Sequence, residues 1–292
     1  MLGRQLIASL SAAGGPGPQS VGLDRAALDI TEPDAVRTAI AQYRPDVVIN
    51  CAAFTAVDSA ETREAQALRV NGAGPANLAA ACADQGARLI HISTDYVFRG
   101  TARSPYFEDD QPCPGTAYGR TKLAGERAVL SRMPESAAIV RTAWLYTPHG
   151  SNFVRTMAEL AARAQPVDVV YDQTGSPTSV VDVARCVISL GPRPEATGIF
   201  HATNTGEATR YDLATQVFRL IGADPSLVHP ISARQLARQA PRPAYTVLGH
   251  RRWPEFAIEP PRDWRSALHD TLREFPRLRH QEPRAQPPSD RR

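Results

Sequence analysis

The chain has 292 residues, of which 42% are hydrophobic and 22% charged; this is enough for one large core, or for a core plus a smaller lobe. The formal charge of +3 sits entirely after Phe275, where five arginines face two acids, so the body is near neutral. A neutral body lacks the concentrated basic face that nucleic acid requires, and no run approaches the ~20 apolar residues of a membrane helix.

Met1–Leu10 is too short and wrongly flanked for a signal peptide, which predicts a cytoplasmic protein with no membrane partner. Leu2, Leu6, Ile7 and Leu10 form a helical stripe. Gly14–Pro18 reads as a loop, and Ser20–Leu23 as a weak strand. Val47–Cys51 is a buried strand, followed by a turn and a helix from about Glu61 to Val70. Pro75–Gln85 reads as a helix closed by Gly86. Strand Leu89–Ser93, helix Tyr118–Ser131 and strand Ala138–Arg141 follow, then helix Asn152–Arg163, strand Val167–Tyr171 and helix Val180–Leu190. Strand–helix alternation with continuous apolar runs predicts an α/β fold, a doubly wound parallel sheet of Rossmann type. The more broken part after Tyr146 predicts a smaller C-terminal substrate lobe. The expected organisation is therefore a dinucleotide-binding domain over 1–145, a mainly substrate-binding and partly interleaved lobe over 146–275, and a disordered, proline-rich tail over 276–292.

Cys51, Cys82, Cys113 and Cys186 have spacings that suit neither a disulfide scaffold nor a zinc site, and read as small apolar core residues. The seven histidines are scattered, without a second ligand at i+3 or i+4; they read as surface or capping residues, and no metal is expected.

Chemistry concentrates at Tyr118-Gly119-Arg120-Thr121-Lys122. On a helix, positions i and i+4 share a face, so phenol and ammonium project together. A ketone reductase needs a proton donor for the nascent alkoxide, and a nearby cation lowers the phenol pKa toward working pH. The motif alone is weak, but Lys122 is the only lysine among 33 basic residues. The one departure from an arginine-biased background thus falls where a compact point charge is needed. Thr94 follows the strand Leu89–Ile92; ligands of open α/β sheets bind beyond the carboxyl ends of strands, which places its hydroxyl beside Tyr118.

These segments resemble the extended short-chain dehydrogenase/reductase family and, within it, the dTDP-4-dehydrorhamnose reductases. The likeness runs through Leu28–Thr31, Val48–Asp58, Leu89–Phe98, Tyr118–Glu126, Arg141–Tyr146 and Asp172–Thr178, then Arg242-Pro243 and Trp264, covering nearly everything from Leu2 to Phe275. The resemblance implies a hydride transfer from NADPH or NADH to the C4 ketone of a dTDP-linked keto-sugar. Tyr118 would be the acid, Lys122 its partner and ribose ligand, and Thr94 the carbonyl-side donor. Asp29 and Ile30 would border the adenine, while Ala53, Phe54 and Thr55 line the dinucleotide. Thr94, Asp95, Tyr96 and Trp144 would touch the sugar nucleotide, and a homodimer is the assembly to test.

Gly3 matches the last glycine of the family's phosphate-binding turn, whereas the strand and first two glycines before it have no counterpart. The expectation is a start assigned too late, with true truncation and weakened cofactor binding as the alternative. Asp24 suits a ribose 2′-hydroxyl and Arg25 a 2′-phosphate; both are present, and NADPH is favoured. Two rivals stay open. One is a regulatory or binding subunit on the same fold, like the regulatory subunit of methionine adenosyltransferase. The other is a nucleotide-sugar epimerase or dehydratase, disfavoured because Tyr96 rather than a second acid follows Asp95.

Overall fold

The computed structural model describes residues 1–12 and 19–275. The predicted loop at 14–18 and the tail from 276 lie outside the described residues. In chain order the elements are α1 (Leu2–Ala12), α2 (Pro33–Tyr43), β1 (Val47–Asn50), α3 (Val57–Thr62), α4 (Glu64–Leu68), α5 (Gly74–Gln85), β2 (Arg88–Thr94), α6 (Ala117–Arg132) and β3 (Ala137–Thr142). They continue as β4 (Leu145–Tyr146), α7 (Phe153–Ala162), β5 (Val167–Val170), β6 (Thr174–Gly175), β7 (Thr178–Ser179), α8 (Val180–Leu190), β8 (Gly198–His201), β9 (Ala208–Thr209), α9 (Arg210–Ile221), β10 (Val228–Ile231) and α10 (Trp264–Arg273).

The main sheet is parallel, in the order β1-β2-β3-β8. Successive strand side chains point to opposite faces, and both faces are covered. Leu89, Ala137 and Ile139 join Val36, Ile40, Leu78, Cys82 and Val129 under α2, α5 and α6. Ile90, Ala138, Val140 and Phe200 join Leu2, Leu6, Val183 and Val187 under α1 and α8. Two covered faces explain why the strands read as unbroken apolar runs. A second core gathers Tyr146, Val154, Met157, Val217, Phe218, Trp264 and Leu268 from α7, α9 and α10, beside the parallel pair β5–β10. Between those segments α8 and β8 return to the main sheet.

Several expectations are corrected. Ser20–Leu23 is not a strand: β1 lies at the edge of its sheet, and no described strand pairs with its outer side. Without a partner the segment stays irregular, and Val21 and Leu23 are exposed. The single helix predicted near 61–70 is three pieces, α3, α4 and a π-helical turn over Arg69–Ala73. The widened turn brings Asn71 inward, where it exchanges hydrogen bonds with the backbone of Phe54 (2.8 and 3.1 Å) and donates to Thr121 Oγ1 (3.1 Å). Cys113 is exposed in a loop between two prolines rather than in the core, while Cys82 and Cys186 are buried and Cys51 half-buried. Nor are all the histidines peripheral: His91 and His201 are fully buried, because each sits in a strand covered on both sides.

Candidate active site

The site forms where β2 ends and α6 begins. Thr94 closes β2 in an extended conformation, and its hydroxyl accepts from the amide of Tyr96 (3.2 Å), starting the short 3-10 turn Asp95–Val97. Thr116 caps α6 by accepting from the Gly119 amide (3.0 Å), which fixes Tyr118 in the first turn. The helix can seat there only because residue 119 has no side chain: a Cβ would lie 2.2 Å from the Tyr96 carbonyl oxygen. Tyr118 and Lys122 are then 9% and 1% exposed, one turn apart on the same buried face.

Thr94, Asp95, Tyr96 and Tyr118 come together. The rings of Tyr96 and Tyr118 meet edge to face at 5.5 Å, and Thr94 Oγ1 donates to Asp95 Oδ1 (3.0 Å). Burial pushes the Tyr118 phenol well above its ordinary value; the Thr94 hydroxyl pulls it down, and Asp95 and Tyr96 add to the rise. Burial also lifts the Asp95 carboxyl to about 6, against hydroxyls of Thr246 and Thr94 and the charge of Arg210. Lys122 does not act on the phenol in this arrangement. Its amine donates to the Ile92 carbonyl (2.6 Å) and meets His91 Nε2 (3.2 Å), and burial lowers it to about 8.

The residues expected to line a dinucleotide lie on α1, the loop after β1 and the segment before α2. Gly3 lies in the first turn of α1, where a Cβ would stand 3.7 Å from Cys51 Cβ, an ordinary contact that leaves the glycine optional. Ala53 and Phe54 are half-buried and Thr55 exposed, on a loop fixed by Asn71. Asp29 accepts from the amide and hydroxyl of Thr31 (3.0 and 2.8 Å), which holds it below the usual carboxylate range. Ile30 is buried against Gly74, where a Cβ would collide with it. Asp24 spends Oδ1 on the amides of Ala26 and Ala27 (3.0 Å each), and Arg25 pairs loosely with Asp29 (3.8 Å), all at the surface. No described hydrogen bond or ion pair joins Asp24, Arg25 or Asp29 to the Tyr118 group.

These residues fit a nicotinamide dinucleotide. The loop after β1 offers small side chains and a clamped backbone at the carboxyl end of the sheet. First-turn amides of α1, beside Cys51, have no intrahelical acceptor and favour an anion, and the buried amine of Lys122 would suit a ribose hydroxyl. Among the described residues no group of three His, Cys, Asp or Glu could hold a metal ion.

The opposite wall comes from the C-terminal part. Trp144 has a left-handed backbone (φ 45°) and packs on Gly175, where a Cβ would stand 2.5 Å from its indole. The Arg210 guanidinium stacks on Trp144 at 3.5 Å. Arg242 forks onto Asp58 (2.7 and 3.0 Å), and both arginines act on the Tyr96 phenol. Sequence reasoning named Trp144 and Tyr96 but missed Arg210, Asn71 and His91. Only His91 carried a local signal, lying between Ile90 and Ile92 in a run read as buried.

A parallel doubly wound sheet with a helix-borne Tyr–Lys pair facing the carboxyl ends of its strands defines the nicotinamide-dependent short-chain dehydrogenase/reductase class. More narrowly, residues 1–277 match the family model described as RmlD substrate binding domain, and the chain belongs to that family. It is 51% identical to a probable dTDP-4,6-dihydroxy-2-methyloxan-3-one 4-ketoreductase of Streptomyces antibioticus, over 93% of this chain and 91% of that one. It is 50% identical to a dTDP-4-dehydrorhamnose reductase of Streptomyces griseus, over 95% and 91%. The crystal structure of dTDP-4-dehydrorhamnose reductase from Bacillus anthracis in complex with NADP is similar at a TM-score of 0.88 and 34% identity, covering 94% of this chain and 95% of that one.

Proposed function

We propose that the chain is a cytoplasmic reductase that uses NADPH to reduce the C4 ketone of a dTDP-linked 4-keto-6-deoxy sugar, with dTDP-4-dehydrorhamnose, giving dTDP-L-rhamnose, the first substrate to test. The observation that carries the reading is the buried Tyr118, with Thr94 beside it and Lys122 one turn along α6. The two curated relatives named above carry different sugars in their names at nearly equal identity, so the proposal is for the substrate class.

Bound nicotinamide supplies the hydride for C4. Thr94 orients the carbonyl oxygen with its hydroxyl. Tyr118 gives its phenolic proton to that oxygen as it becomes an alkoxide, and the desolvated pocket keeps the phenol protonated until then. Lys122 holds the ribose and sets the register of the cofactor against the ketone. The Trp144–Arg210 stack offers a flat face and a positive charge to the nucleotide diphosphate.

The test is a product assay with NADPH, NADH and dTDP-4-dehydrorhamnose. Consumption of one NADPH per C4 alcohol formed supports the reading. Turnover of sugar without net NADPH oxidation would replace it with an epimerase or dehydratase. Absence of any turnover, with dinucleotide bound, would favour a binding subunit.

A further inference from the structure

Behind Lys122 lies a buried chain of polar groups that the proposed chemistry does not use. Asn50 closes β1, and its Oδ1 accepts the Ala52 amide (3.0 Å), which fixes the orientation of the carboxamide. Its Nδ2 therefore faces His91 Nδ1, at 3.0 Å, and an amide nitrogen can only donate. Nδ1 must be the accepting nitrogen, so the single proton of a neutral His91 sits on Nε2. That Nε2–H points at Lys122 Nζ, 3.2 Å away. An ammonium has three donors and no lone pair; a charged Lys122 would set donor against donor in a fully buried place.

We infer that Asn50 and His91 act as a tautomer lock, positioning residues that favour the neutral amine of Lys122 over its ammonium in the ligand-free cleft, the amine accepting from His91 Nε2–H and donating to the Ile92 carbonyl. The alternative needs a proton on His91 Nδ1 and a turned Asn50 carboxamide, and this places its NH2 against the Ala52 amide. Either way, charging Lys122 leaves a donor opposed by a donor, at buried Lys122 itself or at the part-buried Ala52 amide.

Counter-charge offsets this only in part. Glu126, one turn along α6, is the acid that acts on Lys122, but both its oxygens are committed to Arg141 (3.0 and 2.8 Å) and one also accepts from Ser93. Cys51, the other group that acts on Lys122, is a thiol pushed up to about 11 by burial and carries no charge near neutrality. His91 itself is held well below its usual value, chiefly by burial. The lock is a property of the ligand-free chain and stands or falls separately from the keto-sugar reading. Its consequence for the site is that a ligand offering Lys122 an oxygen acceptor strengthens its hold on the proton.

Because Lys122 is the only lysine of the chain, protein labelled with 13C at lysine Cε gives one side-chain signal, and the imidazole nearest to it is His91. The expected result in the unliganded wild-type chain is a lysine midpoint near pH 8 and a His91 ring protonated at Nε2 by 15N shifts. Asn50→Asp keeps the shape and the Ala52 bond but accepts from His91; it is expected to move the ring proton to Nδ1 and to raise the lysine midpoint by about one pH unit or more. In a His91→Phe background the same substitution is expected to move the midpoint much less. A wild-type ring protonated at Nδ1, or a midpoint at about 10 as for free lysine, would overturn the lock. Equal shifts in the two backgrounds would do the same, reducing the effect to plain charge. Should the buried variants fail to fold, the wild-type tautomer and midpoint decide alone.

Discussion

The two walls of the cleft are built by different means. The wall of β2 and α6 is set by backbone: a strand end, a helix cap and a glycine fix Thr94 and Tyr118 to the sheet. The facing wall is set by side chains that meet across long sequence separations, with Trp144 stacked on Arg210 and Asp58 gripping Arg242. Geometry that must be accurate to a hydrogen bond is placed on rigid elements, while the facing surface, proposed to meet the bulk of the ligand, is assembled from pieces that can be exchanged singly. Substitutions in the first wall should therefore act on the chemical step or the fold, and those in the second on substrate affinity.

The largest effect is expected from Tyr118→Phe, which keeps the ring contact with Tyr96 but removes the proton donor. Turnover of the keto-sugar should fall by about 10²–10⁴-fold with the thermal midpoint nearly unchanged, as read by steady-state rates and calorimetry. Next is Glu126→Gln, which strands Arg141 at 0% side-chain exposure; removing one partner of a buried pair costs about 3–5 kcal/mol, to be measured by denaturant unfolding.

The Asp95 carboxyl comes third. Its value is raised in the folded chain, to about 6 from an ordinary 3.8, so the stability tied to its neutral form is complete below about pH 4 and is lost as pH rises through 6. Relative to Asp95→Asn, the wild type should lose about 2 kcal/mol between pH 4 and pH 7, and unfolding of the two proteins across that range checks the sign. On the second wall, Arg210→Ala should raise KM for the nucleotide sugar by about tenfold or more, through loss of a stacked charge, with kcat nearly preserved. Smallest is Asp58→Asn: Asp58 is 45% exposed, and such pairs are worth about 0–1 kcal/mol. A KM effect for Tyr118→Phe, or a kcat effect for Arg210→Ala, would erase the distinction between the walls.

The difference between the walls also governs what could be read from sequence. Buried strands, the Tyr118–Lys122 spacing and the place of Thr94 after its strand are local patterns, legible from periodicity and from one lysine in an arginine background. Arg210 gave no such signal, and Arg242 entered only as part of the family resemblance, because their partners lie 66 and 184 positions away in Trp144 and Asp58. Asn71 was hidden by a π-helical turn that helical periodicity cannot anticipate. His91 was misjudged for another reason: scattered spacing argued against a metal, yet its position inside an apolar strand already required burial and a partner. The strand expected at Ser20–Leu23 failed because pairing, rather than propensity, makes a strand.

The central claim is that Tyr118 delivers the proton that completes reduction of a nucleotide-linked ketone. Its most direct test is a single-turnover measurement of NADPH oxidation with saturating dTDP-4-dehydrorhamnose, for wild type and Tyr118→Phe at equal cofactor occupancy. A burst of oxidation in the wild type, slowed by at least about 10²-fold in the variant, is the predicted result. Equal rates in the two proteins would contradict it.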